Sequence, residues 1–275
     1  MSNDGKPMIN LDRYYSRTGY TGSSDATLET LADLVEHHIA AIPFENIDVL
    51  LGRPIDISLA AIEAKLVERR RGGYCFEQNR LLGAVLATLG FHVENLAARV
   101  LWGRHENDPP RPRTHMALRV TIDGEPWLVD VGFGGTVPVS PLRFNAIEAQ
   151  PTRHEIYRIV PNGDTSTVEA HAGDIWRALY EVSGTPLLDV DYEPLNWFTS
   201  THPASPFKAH LMVARATRDA RFSLMDGRLT IRHRGGSHEQ RGLHIDELET
   251  ALADIFGLAV EPAWRPLLER LAISS

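Results

Sequence analysis

The sequence predicts an α+β protein, because stretches with helical and strand periodicity follow one another along the chain instead of alternating. Apolar residues recur at helical spacing through roughly the first ninety residues. From Phe91 the period changes to two, and Asp123-Gly124 and Asp226-Gly227 have the composition of tight hairpin turns. Parallel strands would require helices between them, so we expect the strands to be antiparallel.

Three helices are predicted in the first part of the chain. They run from the capping residues Ser23-Ser24-Asp25 to Pro43, from about Ser58 to Gly72-Gly73, and from about Cys75 to Leu89. Gly90 follows the third helix at the position where glycine commonly ends a helix. This helix should be buried, because its apolar side chains cover most of its surface: Leu81, Leu82, Val85, Leu86 and Leu89.

The second part of the chain is predicted to consist mainly of strands. Alternating patterns place them near 95–102, 115–122, 127–131, 155–160, 166–170, 210–216, 221–225 and 228–233. Residues 184–208 contain four prolines and little regular patterning, which predicts a linker between two lobes. Helical spacing returns near the end, with Leu248, Leu252 and Phe256 on one face before Gly257.

Composition narrows the class of protein. The net charge is −8 and no basic stripe offsets it, so we expect no nucleic-acid partner. No apolar stretch approaches the roughly 18 residues of a membrane span, so no membrane partner is expected. The segment Met1–Pro7 is polar and lacks a secretory signal, which favours the cytoplasm. Composition leaves the oligomeric state open.

Cys75 is the only cysteine, so it forms no internal disulfide and no thiolate metal cage, and we expect no metal. It is therefore either a plain buried thiol or a nucleophile. Its predicted place at the start of a helix favours the nucleophile, because unpaired N–H groups and the helix dipole stabilise a thiolate there.

A thiol nucleophile needs a base, and the base needs a group that orients it. If the Asp123-Gly124 turn closes tightly, Ala117 faces Asp130, and His115 projects from the same sheet face as its diagonal neighbour. An imidazole N–H can then reach the carboxylate. The alternative is that Asp130 accepts backbone N–H groups at a strand end and that His115 lies on the surface.

Several motifs together resemble the arylamine N-acetyltransferase family over most of residues 10 to 235. They are Ile42-Pro43-Phe44-Glu45-Asn46, Arg71-Gly72-Gly73-Tyr74-Cys75-Phe76-Glu77-Gln78-Asn79, Thr114-His115, Val129-Asp130-Val131-Gly132-Phe133-Gly134-Gly135 and Ser205-Pro206-Phe207. Each motif alone is a weak signal, since tight turns also use glycine and a lone phenylalanine is usually a core residue. The length, and the lack of a large insertion around 150–200, resemble the bacterial type.

The resemblance implies a three-part fold with a core like that of cysteine proteases. A helical bundle (1–94) would carry Cys75, an antiparallel β-barrel (95–205) would carry His115 and Asp130, and an α/β lid would comprise 206–275. It also implies transfer of an acetyl group from acetyl-CoA to an aromatic amine or hydrazine through an acetyl-cysteine. In that mechanism Cys75 would be the nucleophile, His115 its proton partner and Asp130 the orienting carboxylate.

The resemblance further implies binding residues. Phe44, Phe133 and Phe207 would be walls of the acceptor pocket, and Thr114, Gly134 and Met212 would contact the pantetheine arm of coenzyme A. Two other activities are compatible with the same triad. One is a family-related amide synthase that acts on a biosynthetic acyl chain, and the other is a hydrolase of thioesters or amides.

Overall fold

The computed structural model describes residues 9–105 and 107–273, so the polar segment Met1–Pro7 lies outside the described residues. Within them are eight α-helices: α1 (Leu11–Thr18), α2 (Leu28–Ala41), α3 (Ile47–Leu50), α4 (Leu59–Ile62), α5 (Cys75–Thr88), α6 (Tyr192–Thr201), α7 (Ile245–Thr250) and α8 (Arg265–Leu271). Helix α4 continues as a π-helical turn over Glu63–Glu68, and α7 continues in the same way over Ala251–Ile255. Short 3₁₀ turns cover Asp189–Asp191, Pro206–Lys208 and Pro262–Trp264.

The strands form two antiparallel sheets. In the same described ranges they are β1 (Phe44–Glu45), β2 (His92–Val100), β3 (His115–Ile122), β4 (Glu125–Val129), β5 (Leu142–Arg143), β6 (Gln150–Pro151), β7 (Ile156–Asn162), β8 (Thr165–Ala172), β9 (Ile175–Pro186), β10 (Met212–Ala216), β11 (Ala220–Met225), β12 (Arg228–His233) and β13 (His238–Gly242). The larger sheet has the order β5-β4-β3-β2-β9-β8-β7-β6, and the smaller has the order β1-β10-β11-β12-β13.

The larger sheet curls into a nearly closed barrel. Its two edge strands, β5 and β6, meet through the Gln150 side chain, which accepts the Arg143 N–H at 2.7 Å and donates to the Arg143 carbonyl at 3.0 Å. The β3–β4 hairpin has the predicted register, with Ile122 opposite Glu125 and Leu118 opposite Val129. That register fixes which side chains of β3 face the barrel interior.

One face of β3 joins the barrel to the helices. Met116, Leu118 and Val120 are fully buried in a core shared with α5, whereas Ala117 lies in the barrel's own core. Helix α5 is buried along most of its length, as its apolar sequence predicts. The alternation of side chains along β3 therefore directs His115 away from the helical core, on the face that Ala117 shares.

The last part of the chain packs helices against the smaller sheet. Strands β10 to β12 and helices α7 and α8 share an apolar core around Leu248, Leu252 and Trp264. Strand β1, from the N-terminal part, pairs with β10 at the edge of this sheet. The architecture confirms the predicted α+β class, with N-terminal helices, an antiparallel barrel and a C-terminal α/β layer.

The predicted linker at 184–208 is wrong, because helix α6 occupies its centre. The four prolines lie at or near the ends of elements: Pro186 ends β9, Pro194 lies in the first turn of α6, Pro203 follows the residue that caps the end of α6, and Pro206 begins a 3₁₀ turn. A proline in the first turn of a helix costs no hydrogen bond, because N–H groups there have no partner within the helix. Proline content alone was therefore misleading.

Three boundaries also differ from the sequence prediction. The helix predicted to stop at Gly72-Gly73 ends at Glu68, where Arg70, with φ of 53°, turns the chain. Helix α2 is capped by Thr27, three to four residues after the predicted serines. Strand β4 ends at Val129, because the Asp130 side chain accepts the Gly132 N–H at 2.8 Å and draws the backbone out of the ladder.

The described residues contain neither a membrane-spanning helix nor a cluster of metal-binding side chains. None of the helices found in 9–105 and 107–273 combines the length and apolar character needed to cross a membrane. In the same residues, His, Cys, Asp and Glu form no group of three or more that could hold a metal ion.

Candidate active site

Cys75 is the first residue of α5, as the sequence predicts, and its side chain is buried. The backbone just before this helix packs closely against the segment at Pro43. A Cβ on Gly72 would lie 2.2 Å from the carbonyl oxygen of Pro43, so only glycine fits there. The Glu77 carboxylate accepts the Tyr74 N–H at 3.0 Å, which caps the helix next to the sulfur.

A buried network of ion pairs anchors the first turn of α5. Lys65 Nζ lies 2.8 Å from Glu77 and 3.1 Å from Asp48. Arg71 lies 2.7 Å from Glu45 and 3.3 Å from Asp48. Burial disfavours the Lys65 charge, but Glu77, Glu45 and Asp48 outweigh it and raise the Lys65 pKa. The first turn of α5 is thereby tied to the π-helical turn, β1 and α3.

His115, at the start of β3, and Asp130, just after the end of β4, form a buried pair. His115 Nε2 lies 2.7 Å from Asp130 Oδ2, and the two residues are 3% and 1% exposed. Because an ionised carboxylate only accepts hydrogen bonds, Nε2 carries the proton of this contact. The other ring nitrogen, Nδ1, is left for the thiol of Cys75. The Cys75 Sγ itself lies 3.5 Å from the carbonyl oxygen of Thr114, next to His115.

Electrostatics favour a charged His115. Burial works against the charge, but the charge and hydrogen bond of Asp130, with smaller contributions from the Cys75 side chain, raise the pKa of His115 to about 10. Burial alone would raise the pKa of Asp130, yet His115, Asn79 and the Gly132 N–H together lower it. The pair is therefore an imidazolium and a carboxylate at neutral pH.

Asn79 holds Asp130 in place from the nucleophile's helix. It lies one turn after Cys75, and its Nδ2 donates to Asp130 Oδ1 at 3.1 Å and to the Met116 carbonyl at 2.7 Å. Its Oδ1 accepts the Val131 N–H at 3.1 Å. One side chain thus links α5, β3 and the loop after β4, and so fixes the distance between the sulfur and the carboxylate.

Aromatic rings enclose the imidazole. The Tyr180 ring lies 4.8 Å from the His115 ring, the Phe133 ring lies 5.3 Å from it, and these two rings are 5.1 Å apart. Tyr180 is fully buried, and burial together with the nearby Asp130 charge raises its pKa far above the ordinary value. The hydroxyl therefore stays neutral beside the carboxylate, and the rings exclude water from the pair.

Two of the three predicted pocket phenylalanines lie together, and the third lies by the imidazole. The Phe207 ring is 5.9 Å from the Phe44 ring and 5.9 Å from the Tyr74 ring. Tyr74 is the residue directly before Cys75 in the sequence. Phe44 also lies beside Gly134, because a Cβ added to this glycine would be 3.7 Å from the phenylalanine ring. The loop after β4 therefore connects the Phe44–Phe207 pair to Phe133.

The residues predicted to contact coenzyme A are more scattered. Thr114 is half-buried beside Cys75, and its carbonyl faces the sulfur. Gly134 has φ of 82° and its carbonyl accepts the Val137 N–H, so it forms a tight turn. Met212 is half-buried at the start of β10, and its N–H donates to Asn46 at 2.8 Å.

Sequence reasoning missed Asn79, Tyr180 and Asn46 as parts of this site. Asn79 had a usable signal, because it lies four residues after Cys75 and so on the same helix face. Tyr180 had none, because its partner His115 is 65 residues away in sequence. Asn46 lies in the Ile42–Asn46 motif, but nothing there indicates its partners in the Phe207 segment, 161 or more residues away.

Comparisons with known proteins agree with this geometry. A family model described as N-acetyltransferase matches residues 27–265. The chain is 44% identical over 255 residues to an arylamine N-acetyltransferase of Mycobacterium tuberculosis, covering 92% of this chain and 90% of the relative. It is 36% identical over 257 residues to that of Escherichia coli, with 92% and 90% coverage.

Solved structures give the same result. The chain superimposes on the Mycobacterium tuberculosis arylamine N-acetyltransferase with a TM-score of 0.90 at 43% identity, covering 95% of this chain and 98% of the other. For the Mycobacterium marinum arylamine N-acetyltransferase in complex with CoA the TM-score is 0.92 at 42% identity, with 96% and 100% coverage. With a family model across most of its length and relatives of this similarity, the chain belongs to the arylamine N-acetyltransferase family and is an acyltransferase.

Proposed function

We propose that this enzyme transfers the acetyl group of acetyl-CoA to arylamines and arylhydrazines in two half-reactions, through an acetyl-cysteine at Cys75. The observation that carries the proposal is the buried His115–Asp130 ion pair beside a thiol at the start of α5. Support for the donor comes from the similar Mycobacterium marinum enzyme, whose structure is described as a complex with CoA.

In the first half-reaction the sulfur of Cys75 attacks the thioester carbonyl carbon of acetyl-CoA. The proposal places the thiol proton on His115, so that the attacking group is a thiolate. The bond between the carbonyl carbon and the CoA sulfur breaks, and His115 gives its proton to the departing thiolate. Exchange of one thioester for another is nearly balanced, so the step needs little driving force.

In the second half-reaction the nitrogen of the amine attacks the acetyl carbon on Cys75. The neutral His115 accepts the proton that the amine loses, and the carbon–sulfur bond to Cys75 breaks. This restores the thiolate and the imidazolium. Asp130 acts in both steps by holding the ring and stabilising its charge, as the carboxylate of a serine-protease triad does. Arylamines suit this site because they are neutral nucleophiles at pH 7.

The same proposal assigns the surrounding residues. Phe44, Phe133 and Phe207 form walls for the aromatic ring of the acceptor, and Thr114, Gly134 and Met212 contact the pantetheine arm of the donor. Residues 1–94, 95–205 and 206–275 then supply the nucleophile, the ion pair and the last pocket wall respectively. A working thiolate needs a reducing environment, so we place the protein in the cytoplasm.

Steady-state kinetics test the proposal. Double-reciprocal plots against acetyl-CoA at several arylamine concentrations should be parallel, and Cys75→Ala should abolish transfer while the protein stays folded. Intersecting plots with an active Cys75→Ala variant would mean direct transfer between the two substrates. Fast hydrolysis of acetyl-CoA without transfer to any arylamine would instead assign the site to a hydrolase.

A further inference from the structure

A single buried amide connects the two ends of the proposed acceptor pocket. Asn46 is 2% exposed and lies two residues after Phe44. Its Nδ2 donates to the Phe207 carbonyl at 3.0 Å and to the His210 carbonyl at 2.8 Å, and its Oδ1 accepts the Met212 N–H at 2.8 Å. Both polar atoms of its side chain are therefore bonded to the chain between Phe207 and Met212.

Other bonds hold the ends of that segment: Leu211 N–H donates to Asp226 at 2.9 Å, and Lys208 Nζ donates to the Val49 carbonyl at 3.3 Å. Strand β10 begins only at Met212, so the carbonyls of Phe207 and His210 lie outside the sheet ladder. Throughout 201–210 the residues are exposed or half-buried except Ser205. Within the described ranges, Asn46 is the only donor to either carbonyl. Among these bonds, the one from Asn46 is the one that holds the Phe207 carbonyl itself.

The same amide also fixes the distance between two aromatic rings. Strand β1 pairs Phe44 with Ala214, so Phe44 is anchored to the smaller sheet directly. Phe207 is not in a strand, and its ring stays 5.9 Å from the rings of Phe44 and Tyr74. Because Asn46 is rigidly placed by the strand that carries Phe44, its three bonds set where the opposite ring stands.

We propose that Asn46 is a positioning residue that determines the affinity for the arylamine acceptor, because it holds Phe207 against Phe44. The inference rests on the proposed function of Phe44 and Phe207 as pocket walls. Asn46 does not act on the chemistry at Cys75, since its bonds go to the segment at Phe207 and not to the ion pair. Its hold on Phe207 therefore acts in the second half-reaction, and its bond from the Met212 N–H, next to a proposed donor contact, is retained in Asn46→Asp.

Two variants separate the parts of this role. Asn46→Asp keeps the shape and the acceptor for the Met212 N–H, but removes both donors and turns a carboxylate oxygen toward two carbonyls. Asn46→Ser removes the amide and leaves space for a water molecule, which keeps the proposal testable if the aspartate variant does not fold. Val168→Ala, in the barrel core on β8, is the control for a general loss of stability.

The readouts are the rate at which Cys75 takes up an acetyl group from acetyl-CoA, followed by intact mass, and KM and kcat for aniline and 4-aminobiphenyl. In both Asn46 variants the acetylation rate at saturating acetyl-CoA should stay within about twofold of wild type, while the arylamine KM rises about tenfold as the misplaced ring loosens the pocket. Val168→Ala should leave both quantities unchanged.

A double-mutant cycle provides the decisive comparison. Phe207→Ala alone should raise the arylamine KM, and adding Asn46→Asp to it should raise KM no further, because the ring that Asn46 holds is gone. Fully additive effects would overturn the inference, as would a folded Asn46 variant with wild-type KM or one whose acetylation rate falls instead. A wild-type enzyme that takes up no acetyl group would refute the proposed function and not the inference about Asn46.

Discussion

Gly132 and Cys75 are packed so closely that a Cβ atom added to Gly132 would lie 2.6 Å from the Cα of Cys75. The same Cβ would lie 2.8 Å from the Asn79 side-chain nitrogen. The loop after β4 can therefore reach the start of α5 only because residue 132 has no side chain. This contact brings the barrel loop and the nucleophile's helix into one site.

Gly132→Ala should separate these two elements. We expect a loss of about 1–3 kcal/mol in the free energy of unfolding, because backbone atoms must move to admit the methyl group. Activity should fall at least about tenfold, since the ion pair shifts relative to the sulfur. Gly135→Ala is a matched control in the same loop, because its Cβ would meet only Ser223, at an ordinary 3.6 Å. Equal thermal stability and equal rates for the two variants would contradict this interpretation.

Asn79 should be essential for the orientation of Asp130. Asn79→Ala leaves the Met116 carbonyl and the Val131 N–H buried without their partner, which should cost about 1–3 kcal/mol for each unsatisfied group. Asn79→Asp keeps the shape but sets a second carboxylate beside Asp130, so turnover should fall further although the cavity is filled. Urea unfolding and kcat/KM with one arylamine measure the two effects. An Asn79→Asp enzyme as active as wild type would rule out this role.

The His115–Asp130 pair predicts a specific dependence of stability on pH. Because the folded pKa of His115 is raised to about 10, its contribution is complete below the ordinary value near 6.5 and disappears as the pH rises through about 10. Asp130 has a lowered pKa, so its contribution is present above the ordinary value of about 3.9 and is lost in more acidic solution.

The free-energy difference between wild type and Asp130→Asn should accordingly shrink between pH 7 and 10. Urea denaturation at several pH values measures that difference, and NMR of the ring protons should show no titration of His115 between about pH 5 and 8. A difference that stays constant, or a His115 resonance that titrates near 6.5, would mean that the ring is neutral at pH 7.

Features set by residues close together in the sequence could be predicted from it, whereas contacts between distant residues could not. The β3–β4 register followed from Asp123-Gly124, and both residues have the positive φ values, 51° and 82°, that a two-residue hairpin turn requires. That register correctly placed His115 diagonally opposite Asp130. The start of α5 at Cys75 was predictable in the same way, from Gly72-Gly73 before it and the apolar spacing after it.

Elements with irregular patterns were not predictable. Strand β9 was missed because a bulge opposite Val168 and Glu169 buries the consecutive residues Leu179 and Tyr180, which breaks the alternation of a strand. Helix α6 was missed because Pro194 falls within its first turn. The contacts of Tyr180 and Asn46 join residues far apart in sequence, so they depend on how the elements pack and leave no local pattern.

In the buried network of ion pairs at the first turn of α5, a neutral pair should reduce the free energy of unfolding less than an unpaired charge does. Lys65→Met leaves Glu77 buried without its cation, which should cost about 3–5 kcal/mol. Adding Glu77→Gln removes that charge and keeps an oxygen for the Tyr74 N–H, so the double variant should recover part of the stability. Denaturant midpoints of wild type, Lys65→Met and the double variant measure these stabilities. A double variant less stable than Lys65→Met would contradict this prediction.

The most direct test of the central claim is the mass of the intact enzyme after mixing with acetyl-CoA alone. Wild type should gain one acetyl group, digestion should locate it on Cys75, and an arylamine should remove it with formation of one equivalent of amide. Cys75→Ala should gain nothing. Formation of the acetylated arylamine by an enzyme that never carries the acetyl group would show that the Cys75 sulfur is not the nucleophile.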